Sequence, residues 1–259
     1  MGMSMRVCVL GSSSSGNCTL VATSNEVVLV DLGLAVTRVE RCLKELSLLA
    51  QKTTILLTHA HHDHISGVES FCRRYPKTKV ICHQSCYISL LAKLPINVQL
   101  NTVEEDFYVG EFTISPFVVK HDVPCVGYSI LHSGKKVSVA TDLGEVNKAV
   151  LSKITDSDLV VLESNHDEEL VRNNKTYSEQ LKKRILSCSG HLSNRACANS
   201  VVELAQNGVK QVILAHLSKE NNYPELAYET CRLRLQEQGL TTQIEVASAD
   251  KMSKVFLIA

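Results

Sequence analysis

The 259-residue chain carries no net charge, with 27 lysines and arginines against 27 aspartates and glutamates. That balance argues against a basic coat for nucleic acid, though it leaves room for a local basic groove around a site. No apolar run approaches membrane-spanning length, and the residues around Met1 to Arg6 have no apolar core of a secretory leader. Arg6 also stands where an N-myristoylation signal needs serine or threonine. Ten cysteines are present, but no Cys-x-x-Cys pair and no spacing typical of a disulfide framework. Repeats, linkers and low-complexity segments are also missing. What is left is the composition of an ordinary globular protein, 44% hydrophobic and 21% charged. The expectation is one domain spanning 1–259, cytoplasmic, with reduced thiols and no membrane contact.

One stretch stands out against this background. The apolar run Ile55-Leu56-Leu57 reads as a buried strand, and Thr58-His59-Ala60-His61-His62-Asp63-His64 follows it directly. Side chains alternate faces in an extended segment, so His59 and His61 point the same way at the strand's end. A turn into a helix then brings Asp63 and His64 to the same volume from a second direction. Imidazole and carboxylate are ligands that first-row divalent cations favour. Five such groups at the mouth of a buried strand are costly to desolvate without strong partners. The pattern can feed two metal ions, one through His59 and His61, the other through Asp63 and His64.

Elsewhere strands alternate with helices, the signature of an α/β architecture. Apolar residues at Val39, Cys42, Leu43 and Leu46 mark an amphipathic helix. Further helices are expected over 68–75, 85–94, 177–188 and 223–238, with another ending at Gln206. A hairpin is expected over 107–114 around Gly110. Several strands deliver a polar residue to their ends: Asp31 after 27–30, His121 after 117–120, Asp142 after 137–140, Glu163 after 159–162, His216 after 212–215. The run Gly11-Ser12-Ser13-Ser14-Ser15-Gly16-Asn17-Cys18 joins two strands; it fits a donor-rich loop lining a phosphate site as well as plain turn chemistry.

The motif His59-Ala60-His61-His62-Asp63-His64 resembles the signature of the metallo-β-lactamase superfamily. The resemblance implies a four-layer αββα sandwich, with two mixed sheets flanked by helices and two divalent cations, zinc or manganese, at one edge. It implies that His59, His61 and His121 hold the first ion, Asp63, His64 and His216 the second, and that Asp142 joins them. Asp31 would support the metal loop from behind. The order Glu163-Ser164-Asn165, then His191-Leu192-Ser193, is similar to the tRNase Z and phosphodiesterase branches. There a glutamate orients a histidine that protonates the leaving group, so Glu163, His191 and Asp63 are the catalytic candidates. The segment between Asp142 and His216 is too short for an inserted β-CASP domain, and no long Gly/Pro-rich arm like that of tRNase Z is present. The whole chain looks most like the YycJ/WalJ-type branch, which implies a 5′-to-3′ exonuclease acting on DNA rather than RNA. A thioesterase of glyoxalase II type is the alternative enzyme, and a degenerate metal-binding module the alternative without catalysis. His62 and His166 receive no role, and His62 is expected to be an ordinary exposed histidine.

Overall fold

The structure is a computed structural model describing residues 4–49 and 51–259. The leader and lipidation readings bear partly on Met1 to Met3, which lie outside the described residues. The strands in chain order are β1 (Met5–Gly11), β2 (Cys18–Ala22), β3 (Glu26–Val30), β4 (Lys52–Leu57), β5 (Lys79–His83), β6 (Leu100–Val103) and β7 (Phe107–Val109). They continue with β8 (Phe112–Val119), β9 (Cys125–His132), β10 (Lys135–Ala140), β11 (Leu159–Glu163), β12 (Gln211–Ala215), β13 (Gln243–Val246) and β14 (Phe256–Ile258).

The chain divides into two compact units. One takes in the chain up to Pro116 with Ile130–Lys135 and Ser248–Ala259; the other comprises Phe117–Ser129 and Lys136–Ala247. The first unit holds a seven-stranded mixed sheet in the order β14-β1-β2-β3-β4-β5-β6. β3 to β6 are parallel in it, and β1, β2, β3 and β14 pair antiparallel. The middle strands end in continuous apolar runs rather than alternating, and Val28, Leu29, Ile55, Leu56 and Leu57 have no exposed surface. Burial on both faces calls for that pattern in a parallel sheet. Because β3 and β4 run parallel, Asp31 and His59 emerge at the same edge.

The second unit is built on the parallel run β10-β11-β12-β13 of another seven-stranded mixed sheet. Val160, Leu162, Val212 and Leu214 pack in its core with Val201 and Leu204 of the helix Asn194–Gln206. Parallel strands again put their following residues at one edge: Asp142 after β10, Ser164 to His166 after β11, His216 after β12. In open α/β sheets this carboxyl edge is where ligands bind.

The expected hairpin is β7–β8, with Gly110 at a φ of 54° in its turn. Two helices are shorter than the apolar periodicity suggests. The segment expected over 85–94 is a 3₁₀ turn, Gln84–Cys86, followed by the helix Tyr87–Leu91. That over 177–188 is the helix Glu179–Ile185, started by Ser178 accepting from the Leu181 amide. Helices at Lys148–Ile154 and Glu168–Asn173 come unannounced. They are only two turns long and depend on the Asn147 and Asp167 caps, a span too short for periodicity to register. All ten cysteines are free thiols, and among the described residues no helix is long and apolar enough to cross a membrane.

Candidate metal centre

In the first unit Asp31 and Thr58 fix the histidines. Asp31 is buried in the left-handed region at a φ of 61°. Its Oδ1 accepts from the Thr58 amide at 2.8 Å, and its Oδ2 accepts from Thr58 Oγ1 at 2.8 Å and from His64 Nδ1 at 2.7 Å. With the Thr58 hydroxyl proton committed to Asp31, Oγ1 accepts from His59 Nδ1 at 2.9 Å. The network thereby assigns the proton to Nδ1 of both His59 and His64, so each Nε2 carries the lone pair a cation needs. Both rings are fully buried. The His59 ring lies edge-on to His61 at 4.6 Å between centroids and tilted to His64 at 4.2 Å. His62, the fourth histidine of the cluster, is exposed, as expected.

The serine loop folds around Asn17. The Asn17 side-chain oxygen accepts from Ser12 Oγ at 2.9 Å and from the Ser13 amide at 3.1 Å, and its Nδ2 donates to the Ser13 carbonyl. The same Nδ2 lies 3.0 Å from Asp63 Oδ2 and 3.1 Å from His64 Nε2. Asn17 thus ties Ser12 and Ser13 into a turn and carries its side-chain amide to the Asp63 and His64 side chains. Backbone packing closes the arrangement: the Asn17 amide donates to the Asp63 carbonyl at 2.8 Å. A Cβ on Gly33 would stand 1.6 Å from that oxygen, so glycine is required there. Asn17→Ala is expected to loosen the serine loop, whose Ser13 amide loses its acceptor, and to weaken metal retention by about 10–100-fold, the usual cost of losing a group that supports a ligand. Competition against a colorimetric zinc chelator measures it.

In the second unit one carboxylate organises two histidines. Glu163 is fully buried at the end of β11. Its Oε1 accepts from His191 Nδ1 at 2.8 Å and His216 Nδ1 at 2.7 Å, and its Oε2 from the Leu143 and Leu192 amides at 3.0 and 3.1 Å. Burial alone would raise its carboxyl, but the His191 and His216 rings outweigh burial and hold it at about 2. Burial in turn works against a charged His191, and the Glu163 carboxylate overcomes it, so the His191 imidazolium persists above the ordinary histidine range. His121 donates from Nδ1 to the Gly190 carbonyl at 3.1 Å, and its Nε2 lies 3.2 Å from Asp122 Oδ1 and 3.8 Å from Asp142 Oδ1. Asp142 and His216 are both buried in the left-handed region, at φ 58° and 56°. Asp142, Glu163, His191 and His216 offer ligand atoms within 4.8 Å of one another. Glu163 already accepts four hydrogen bonds, two of them from the His191 and His216 rings, so it serves to hold those rings rather than to offer a ligand oxygen.

These loops are locked by a buried cage of amides. Asn165 Nδ2 donates to the His216 carbonyl at 2.7 Å. Asn222 Nδ2 reaches the Ser164 and Asn165 carbonyls at 2.9 and 3.0 Å, and Ser164 Oγ donates to Asn194 Oδ1 at 2.7 Å. Asn194 and Asn222 also bond to each other at 2.9 Å. Truncating Asn222 would take the side-chain donor from the buried Ser164 carbonyl and the acceptor from the buried Asn194 amide, at about 1–3 kcal/mol each. Asn222→Ala is therefore expected to lower Tm by more than 5 °C in a thermal melt of the metal-free protein, roughly 2–4 °C per kcal/mol for a chain of this size. His166 sits beside the cage with 1% of its surface exposed, and burial holds its ring neutral, down at about 4, against the pull of Glu163. Asn17, Thr58, Asn165, Asn194 and Asn222 carry no charge and no periodicity, so nothing in the sequence marked their roles.

A family model described as the beta-lactamase superfamily domain matches residues 27–217, well over half of the chain. The exodeoxyribonuclease WalJ of Streptococcus pneumoniae is 33% identical over 246 residues, which cover 92% of this chain and 90% of that protein. The exodeoxyribonuclease YycJ of Bacillus anthracis is 31% identical over 243 residues, 92% of this chain and 91% of that one. Among solved structures, the metallo-beta-lactamase fold protein YhfI from Bacillus subtilis aligns over 98% of this chain and 99% of its own with a TM-score of 0.73. At 14% identity that is a likeness of fold alone, and it bears out the αββα class expected from the sequence.

Proposed function

The chain belongs to the metallo-β-lactamase superfamily, and from that premise we propose that it is a dinuclear-metal-dependent phosphodiesterase, an exonuclease on DNA, working as one domain over 1–259. The donor set fits two first-row divalent cations. His59, His64, His121 and His216 all spend Nδ1 on a hydrogen bond, which leaves Nε2 as the ring atom each would turn to a metal. In this reading His59, His61 and His121 would hold the first ion and Asp63, His64 and His216 the second, and Asp142 would serve both. So many imidazoles suit zinc, while the two carboxylates also accept manganese. When bound, two such ions acidify a water at neutral pH and offset the charge of a phosphodiester in flight.

The remaining chemistry belongs to the chain's own side chains. Breaking a P–O bond leaves an alkoxide, which needs a proton. His191 is the donor: Glu163 holds its Nδ1 at 2.8 Å and keeps the ring charged, which leaves Nε2–H for the leaving oxygen. Asp63, held by Asn17, orients the attacking water as well as ligating. The Glu163–His191 pair is the observation that carries the phosphodiester reading over the thioester one, since a thiolate departs with far less help. DNA is favoured over RNA because the two relatives compared are exodeoxyribonucleases; the 5′-to-3′ direction rests on the same resemblance.

The test is a substrate panel on metal-loaded protein: a DNA and an RNA oligonucleotide, bis-p-nitrophenyl phosphate, a glutathione thioester and a β-lactam. DNA is expected to turn over fastest, whereas preferential thioester hydrolysis would remove the reading. Glu163→Gln tests the pair by pH. His191 is raised in the folded protein, so its proton persists as pH climbs past the ordinary histidine value and is lost at the higher, folded value. Without the carboxylate charge, the alkaline limb of kcat should move to lower pH. An unmoved limb would mean that His191 does not supply the proton.

A further inference from the structure

A second site lies in the first unit, away from the metal cluster. A cavity of about 860 Å³ opens at the amino ends of β4 and β5, among Leu43, Phe71, Ile81, Tyr75, Lys77 and Tyr108. Its volume is in the range of small-molecule sites, roughly 300–1,000 Å³. Lys52 begins β4 and His59 follows the opposite end of that strand, so six strand residues at roughly 3.3 Å each put about 20 Å between them. Leu43, Phe71 and Ile81 supply a buried apolar floor.

Above the floor the lining is cationic and aromatic. Lys52, Arg74, Lys77 and Lys79 all border the cavity, and Glu26 is its one acidic lining residue. Glu26 stands 3.8 Å from Lys52, and Arg74 is taken by the buried Glu40, whose carboxylate also accepts from the Tyr75 hydroxyl at 2.6 Å. Lys77 and Lys79 are exposed and enter no ion pair among the described residues. Tyr108 pairs with Thr113 in the β7–β8 hairpin, yet its side chain is 81% exposed at the rim. An exposed ring and two unpaired ammonium groups bordering one cavity with an apolar floor match a flat ring that carries an anion.

We propose that this groove binds a nucleotide unit, its base against Tyr75 and Tyr108 and its phosphate at Lys77 and Lys79. The choice of a nucleotide over another ring-bearing anion rests on the phosphodiesterase reading. The unit comes either from a free mononucleotide or from a strand whose other part lies at the metal centre. Aromatic stacking and lysine–phosphate pairing are the two sequence-tolerant contacts by which proteins hold single strands.

The experiment titrates metal-loaded protein with deoxythymidine monophosphate and with a fluorescent phosphorothioate dT12, which resists hydrolysis, and follows calorimetry and anisotropy. Lys77→Glu/Lys79→Glu is expected to weaken binding about 10-fold or more and to flatten its salt dependence. Tyr108→Ala should weaken it about 5- to 10-fold. Both variants should keep wild-type kcat on bis-p-nitrophenyl phosphate, since neither touches the metal cluster. Loss confined to dT12 assigns the groove to a strand, and loss with both ligands assigns it to any nucleotide. Wild-type binding in both variants, or no binding by the wild type, overturns the inference. The two readings also fail separately. Phosphodiester turnover with insensitive binding removes the groove alone. Sensitive binding without phosphodiester turnover removes the hydrolase reading and keeps the groove.

Discussion

Replacing His191 with alanine is expected to cut turnover of a DNA oligonucleotide by roughly 10²–10⁴-fold, the usual worth of a positioned general acid. The loss should shrink when the leaving group is p-nitrophenolate, which departs without a proton. The geometry supports an effect on chemistry rather than on folding. His191 lies partly open to solvent, with 21% of its side chain exposed, and its loss leaves the Glu163 carboxylate still bonded to His216 and to the Leu143 and Leu192 amides. Thermal stability should therefore stay near that of the parent. Metal content separates this role from its competitor, because His191 also lies within ligand distance of Asp142 and His216. A variant that keeps two metals per chain and loses activity only on the poor leaving group marks a proton donor. A variant that loses a metal marks a ligand. If a thioester or a β-lactam is the good substrate and His191 does not matter to it, the fold stands and the nuclease assignment falls.

What could be read from the sequence follows from where the chemistry sits. A buried strand that runs into histidine, aspartate or glutamate contradicts its own hydrophobic pattern, and that contradiction is visible without a structure. Asp31, His59, His121, Asp142, Glu163 and His216 all follow or end such strands. The supporting groups give no such signal. Asn17 meets Asp63 across 46 positions, Thr58 meets Asp31 across 27, and Asn222 meets Ser164 across 58. Neutral amides and hydroxyls look like turn residues wherever they occur, and only tertiary contact shows what they hold. The left-handed backbone at Asp31, Asp142 and His216 was equally hidden, since glycine is the residue that advertises it. The two cap-driven helices belong to the same class: a capping contact of one or two residues decides them, below the reach of a periodic pattern.

The other large effect is expected at Asp142, and the choice of substitution follows from its backbone. At a φ of 58° alanine would add roughly 1–2 kcal/mol of strain, whereas asparagine enters the left-handed region readily. Asp142→Asn therefore keeps shape and backbone and removes only the charge. In the second unit the Asp142 Oδ1 lies 3.8 Å from His121 Nε2 and 3.5 Å from His216 Nδ1, one anion among imidazoles. In the proposed centre it is the one carboxylate both cations share. Neutralising it removes the attraction that allows two dications to sit side by side, so the second equivalent of metal should bind far more weakly. Activity should fall by more than the roughly 10–100-fold that losing a mere supporting group costs. Calorimetry supplies an activity-independent measure. Ligands that bind only the folded state raise stability by RT ln(1 + [L]/Kd), about 2.7 kcal/mol at 100 times Kd. In the parent, zinc should raise Tm in two saturable steps; in Asp142→Asn the second step should be missing while the metal-free Tm is nearly unchanged. Two equivalents of zinc still bound tightly in this variant would show that Asp142 is not the shared ligand, and the dinuclear assignment would then have to be rebuilt on Asp63 alone.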